Sequence, residues 1–94
     1  MIRVYSMEDC PYCNEIKKLL VKEGIKFVDV DINKKENIEE ADKVFAITKC
    51  DSVPIIKVGN QLLAPDISFT SINEAFTLTK RFLNGGINPT GQVL

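Results

Sequence analysis

Cys10 and Cys13, in the run Cys10-Pro11-Tyr12-Cys13, are the residues of this chain whose type and spacing suit chemistry. They stand between a short apolar run, Ile2-Arg3-Val4-Tyr5, and a segment with helical periodicity from Ile16 to Leu20. A strand that ends in a dithiol opening a helix is where thiol–disulfide exchange is expected. Cys10 falls near the N-cap, where unpaired backbone N–H groups and the positive end of the helix dipole favour an anionic sulfur. Thiols so placed have pKa values lowered from about 8.5 into the range of roughly 3.5–7.5, so Cys10 is expected to be the thiolate. Cys13 lies on the same helical face but deeper, in reach of a mixed disulfide at Cys10, and is expected to be the resolving thiol. Pro11 suits the first helical position, because its φ is already helical and its missing N–H has no intrahelical acceptor there. Tyr12 is expected to be exposed, either as a spacer or as a ring that contacts substrate. Glu8 and Asp9 put like charge beside Cys10, which disfavours a thiolate unless both side chains point into water. Zinc normally takes four Cys, His or carboxylate ligands; with three cysteines and no histidine the chain does not build the usual Cys/His set, and no metal is expected.

The pair needs a frame. Ile2, Val4 and Tyr5 read as a strand at the centre of a sheet, and the helix after the dithiol runs to about Glu23, with Ile16, Leu19 and Leu20 inward and Gly24 just past its end. Lys26 to Ile32 alternates polar and apolar as a second strand, giving a parallel βαβ unit. Asn33-Lys34-Lys35-Glu36 looks like an N-cap with an acidic third position. The helix it opens is expected to reach Thr48, with Ile38, Ala41, Val44, Phe45 and Ile47 inward and Glu36, Glu39, Glu40, Asp42 and Lys43 on a solvated face. Ser52-Val53-Pro54 precedes a strand, Ile55 to Val58, and Gly59-Asn60 signals a hairpin to Gln61–Ala64. A cis bond at Pro54 would turn the Val53 backbone toward the dithiol, but the residues by themselves favour trans. Ser71-Ile72-Asn73-Glu74 is a capping box for a third helix, with Ile72, Ala75, Phe76, Thr79, Phe82 and Leu83 on one face and a stop at Gly85-Gly86. Residues 1–84 are expected to form one domain and 85–94 a flexible tail.

The chain of 94 residues, 45% hydrophobic and 27% charged, is long enough for one core and one site. Lys+Arg 12 against Asp+Glu 13 gives no global pull toward nucleic acid or an anionic membrane, so neither is expected as a partner. No stretch combines a basic region with a long apolar run, and three cysteines leave one over after the first pair; a cytoplasmic protein and a catalytic dithiol are expected.

With C-P-Y-C at the first strand–helix junction and S-V-P before the third strand, the order βαβ-α-ββ-α resembles the glutaredoxin family over about residues 2–84. The resemblance implies an α/β thioredoxin-like fold, a four-stranded mixed sheet flanked by three helices, with a cis bond at Val53-Pro54. It implies Cys10 as nucleophile, Cys13 as resolving cysteine, and glutathione as co-substrate, its cysteinyl part paired with the Val53 backbone beside Ser52 and Pro54; a monomer is expected. Two positions depart from the family pattern. Where many members carry a lysine that binds a glutathione carboxylate, three residues before the first cysteine, this chain has Met7. Where Gly-Gly and a Cys/Ser-Asp pair usually bind the γ-glutamyl end, it has Ala64-Pro65-Asp66-Ile67, which leaves Asp66 as the candidate acid. Lys49 and Lys17 are the replacement candidates for holding a carboxylate, or else ordinary surface lysines. Cys50 is either a bystander or, if exposed, a site of glutathionylation or of a link between chains.

Three functions fit these residues: a glutathione-dependent dithiol oxidoreductase acting on protein or glutathione mixed disulfides; a redoxin served by thioredoxin reductase, for instance as electron donor to ribonucleotide reductase; and a dimer holding a [2Fe–2S] cluster through Cys10 and two glutathiones. The first is the leading reading: the absent lysine and Gly-Gly favour the second, but the chain has no Trp and no aromatic-rich C-terminal motif of the kind such redoxins carry, and Pro11 weighs against the third.

Overall fold

The computed structural model describes residues 1–84; the expected tail 85–94 and the Gly85-Gly86 stop lie outside the described residues. Strand β1 (Ile2–Ser6) leads into helix α1 (Pro11–Lys22), then β2 (Phe27–Asp31), a 3₁₀ turn (Lys35–Asn37), α2 (Ile38–Thr48), the hairpin β3 (Ile55–Val58) and β4 (Gln61–Leu63), and α3 (Ile72–Leu83). The sheet order is β2-β1-β3-β4, with β1 parallel to β2 and antiparallel to β3. β1 is therefore central, with a neighbour on each side and packing on each face.

Alternation along β1 sorts its side chains. Ile2 and Val4 join Ile16 and Leu20 of α1, Ile56 and Val58 of β3 and Ile72 and Ala75 of α3 in one cluster. Tyr5 joins Val30, Val44 and Ile55 in a second cluster on the α2 side. Helices α1 and α3 thus cover one face and α2 the other. Each fully buried aliphatic side chain contributes about 1.5–3 kcal/mol, and Leu20, with none of its surface exposed, is of this kind.

Helix α1 ends in paired reverse bonds, Gly24 N–H to the Val21 carbonyl (3.0 Å) and Ile25 N–H to the Leu20 carbonyl (2.9 Å). That closure needs φ of +72° at residue 24, which glycine adopts without a Cβ clash. Ile25 then packs onto the first cluster and the chain returns as β2.

The α2 region differs from expectation in three ways. Asn33 is not the helix cap: its N–H donates to Asp31 Oδ1 (2.9 Å), which holds it in a turn, and the 3₁₀ turn intervenes before α2 starts at Ile38. Ile38 and Ile47 point outward, because α2 lies alone on its face and only Ala41, Val44 and Phe45 meet the sheet. Glu40 is not on a solvated face: it accepts from Arg3 Nε (2.7 Å), Arg3 Nη2 (2.8 Å) and Tyr5 Oη (2.5 Å), tying α2 to β1. In α3, Leu83 is exposed and the half-buried Leu78 packs on the core instead.

Hydrogen bonding from Arg3 lowers the Glu40 carboxyl pKa against the opposing effect of burial, with Tyr5 adding to the lowering. Burial, then the bond to Glu40, pushes Tyr5 up to about 12, so it stays a donor. A carboxyl depressed in the folded state contributes stability above its unfolded pKa and loses it as pH falls through the folded value. Glu40→Gln is expected to flatten that part of the acid unfolding curve, by at most about 1 kcal/mol because the pair is part-exposed; urea midpoints between neutral pH and pH about 3 measure it. Lys49, which ends α2 with φ of +57°, is a position where Lys49→Gly should raise the unfolding free energy by about 0.5 kcal/mol, read as a higher urea midpoint at unchanged slope.

Candidate functional site

Strand β1 stops at Ser6, and Asp9, with φ of +59°, turns the chain so that Cys10 can begin α1. Aspartate tolerates this left-handed conformation better than most residues. Cys10 is the N-cap, with extended backbone, and its Sγ accepts the Cys13 N–H at 3.1 Å. Pro11 follows at the first helical position and no acidic residue stands in the first turn. Cys10 and Cys13 are disulfide-bonded across a Cα–Cα distance of 5.2 Å. Cys10 retains 6% of its surface and Cys13 0%, so an incoming sulfur meets Cys10 first. Glu8 and Asp9 are exposed, which keeps their charge in water.

The Val53–Pro54 peptide bond is cis, the geometry the resemblance implies, and Pro54 is buried while Ser52 is exposed. Val53 and Pro54 form one wall of a groove of about 270 Å³, with Tyr12, Pro65, Asp66 and Phe69 among its other lining residues. Tyr12 is 64% exposed and stands on the rim. The structure therefore brings Tyr12, Val53, Pro54 and Asp66 together, while Ser52 is not among the lining residues.

Lys17 and Lys49 do not join them. Lys17 Nζ pairs with Asp29 Oδ2 at 2.9 Å, and Ser6 Oγ donates to Asp29 Oδ1 at 2.5 Å. Burial would raise the Asp29 carboxyl, but the Ser6 hydroxyl and the Lys17 ammonium outweigh it and hold it below its ordinary value, with the charge of Lys34 adding to the effect. This cluster borders a second depression, shared with Met7, Glu8, Asp9 and Asp31. Lys49 is exposed and lines neither depression. Cys50 is half-buried, with Sγ 3.8 Å from the Ser52 carbonyl oxygen and 3.9 Å from that of Pro65.

Sequence reasoning missed Asp29 and the far wall of the groove. Asp29 was legible in principle, since β2 alternation puts it on the α1 face with Phe27. Pro65, Phe69 and the start of α3 come together only because the loop after β4 folds back on itself: Asp66 N–H donates to the Phe69 carbonyl at 2.7 Å and Ser68 N–H to the Ala64 carbonyl at 2.9 Å.

The family profile described as Glutaredoxin matches residues 2–63. Over 63 residues the chain is 30% identical to the uncharacterized glutaredoxin-like 8.6 kDa protein in the rubredoxin operon of Clostridium pasteurianum, covering 67% of this chain and 81% of that one. It is 31% identical over 58 residues to N-acetyl-S-hydroxy-L-cysteine reductase of Bacillus subtilis, covering 62% of this chain and 60% of the relative. Among solved structures it superposes on a wheat glutaredoxin with a TM-score of 0.66 at 17% identity, covering 99% of this chain and 83% of that one.

Because Lys17 is held by Asp29, Lys17→Met is expected to leave the KM for a glutathione mixed disulfide within about two-fold, equivalent to about 0.4 kcal/mol. Steady-state kinetics on purified parent and variant measure it. With its Cys10–Cys13 pair opening α1 and a cis Val53–Pro54 bond, on a four-stranded thioredoxin-like sheet, the chain belongs to the glutaredoxin family.

Proposed function

We propose that this protein is a thiol–disulfide oxidoreductase that reduces protein or glutathione mixed disulfides in a reducing compartment such as the cytoplasm. The observation that carries the reading is the position of Cys10. Its sulfur sits at the N-cap, accepts the Cys13 N–H and keeps the only exposed surface of the pair. The same N–H and the helix dipole would stabilise a thiolate there.

In the reduced protein, Cys10 thiolate attacks one sulfur of the partner disulfide and displaces the other sulfur as a thiolate, which takes up a proton. Cys13, deprotonated, attacks Cys10 Sγ and releases the second partner sulfur. The partner disulfide has then gained two electrons and the Cys10–Cys13 bond has formed. Two glutathione thiols return the dithiol in the same two exchanges, leaving one glutathione disulfide. Family membership supports glutathione as the reductant.

A second reading keeps these cysteines and takes electrons from a thioredoxin-type reductase, with a partner such as ribonucleotide reductase. It is favoured by the engagement of Lys17 with Asp29 and by Met7 in the place of a basic residue. One relative, moreover, is named as the reductase of a small cysteine derivative.

Reduction of a glutathione mixed disulfide, coupled in parallel to glutathione with its reductase and to thioredoxin reductase, separates the readings. Turnover with glutathione is expected to survive Cys13→Ser and to fall at least about 100-fold in Cys10→Ser, a loss of about 2.7 kcal/mol or more. Turnover only with thioredoxin reductase, needing both cysteines, would replace the first reading with the second.

A further inference from the structure

The groove that begins at Tyr12 has an apolar stretch, from the Tyr12 ring through Val53 and Pro54 to Pro65 and Phe69, beside the polar Asp66, Thr70 and Ser71. At about 270 Å³ it is smaller than the roughly 300–1,000 Å³ of pockets that enclose whole small molecules. Its size suits one large side chain beside the reacting sulfur.

Four backbone donors of the loop that forms its far wall are engaged within that loop. Ala64 N–H donates to Ser68 Oγ (3.1 Å), Ile67 N–H to the Ala64 carbonyl (3.2 Å), and Asp66 and Ser68 make the bonds given above. Pro65 has no N–H. Thr70 N–H and Oγ1 both donate to Glu74 Oε1, at 2.8 and 3.2 Å, so the Thr70 donors are taken by a carboxylate of the chain itself.

Carboxylates stand immediately before the dithiol and on the groove. Asp66 stands on the groove, Glu8 and Asp9 are exposed immediately before Cys10, and Asp31 lines the depression beyond them. Lys17, on that side, is paired with Asp29, whose carboxyl also feels Lys34. These carboxylates attract cationic residues that flank an incoming disulfide.

On the reading of a dithiol oxidoreductase, we infer that the preferred disulfide is carried by a peptide segment of a partner protein, with an apolar residue for the groove and Lys or Arg around it. The exchange is that given above: the partner disulfide is reduced to two thiols while Cys10 and Cys13 are oxidised to a disulfide.

Two synthetic peptides with the same internal disulfide and the same apolar neighbour, one flanked by Lys and Arg and the other by Glu, test this. Positive neighbours also make a partner sulfur a better leaving group, so each rate is normalised to that with dithiothreitol, an uncharged dithiol. The basic peptide is expected to be reduced about ten-fold faster at low ionic strength. The ratio should fall toward one at about 0.5 M salt, where screening is nearly complete, and in the combined variant Glu8→Gln, Asp9→Asn, Asp66→Asn. Asparagine is chosen at 9 and 66 because both have positive φ, and the salt series on the parent stands without the variant. Equal normalised rates at low salt, a preference for the acidic peptide, or a preference indifferent to salt would overturn the inference while leaving the oxidoreductase reading intact. Reduction of neither peptide by the parent would overturn both.

Discussion

The hydrogen bond from the Cys13 N–H to Cys10 Sγ joins folding to chemistry in this protein. An N-cap ordinarily presents a hydroxyl or carboxylate oxygen to the first turn; here a sulfur takes that role. The helix start therefore needs the atom that the exchange reaction uses, and the reaction gains a donor fixed by the helix. The arrangement holds only if the end of β1 is held in place. Ladders to β2 and β3 on either side and clusters on both faces meet that condition.

The two faces of the sheet are secured by different physics. On the α1 and α3 side the contacts are aliphatic and extensive, and area burial suffices. On the α2 side a single helix covers the sheet, and Glu40 reaches back to the planar Arg3 guanidinium and the Tyr5 hydroxyl. Two donors of fixed geometry on alternate residues of one strand define the position of α2 more sharply than its narrow apolar stripe would. Placement of α2 matters to the site because its end leads through Lys49 and Cys50 into Ser52, Val53 and cis Pro54.

Period and punctuation made most of the frame legible: two-residue alternation gave the strands, and Gly24, Gly59-Asn60 and Ser71 marked a helix end, a hairpin and a helix start. The C-P-Y-C and S-V-P motifs located both sides of the dithiol. What stayed hidden was every feature decided by a partner remote in sequence. Glu40 reads as one more charge on an exposed helix until Arg3 and Tyr5 are placed beneath it. Lys17 reads as available until β2 brings Asp29 alongside. Ile38 and Ile47 fit the helical period, but the stripe a lone helix buries is narrower than the stripe its apolar residues define. Glu74 was placed correctly in a capping box, yet its carboxylate bonds Thr70, one residue before the cap, and that choice depends on how the preceding loop folds back.

The match to the family profile ends at Leu63, and the groove straddles that boundary. Cys10, Tyr12, Cys13, Val53 and Pro54 lie within the match; Pro65, Asp66, Phe69 and the first turn of α3 lie beyond it. The parts of the site that perform exchange, a capped sulfur, its buried neighbour and the cis proline, thus belong to the segment held in common with other glutaredoxins. The rest of the groove wall belongs to a loop, Ala64 to Thr70, whose bonds are made within itself and to Glu74. Exchange chemistry tolerates little displacement of the reacting atoms, whereas a wall that only admits or repels can change its residues without moving them. Different substrates can accordingly be served by altering the loop after β4 while β1, α1 and the turn at Pro54 stay as they are.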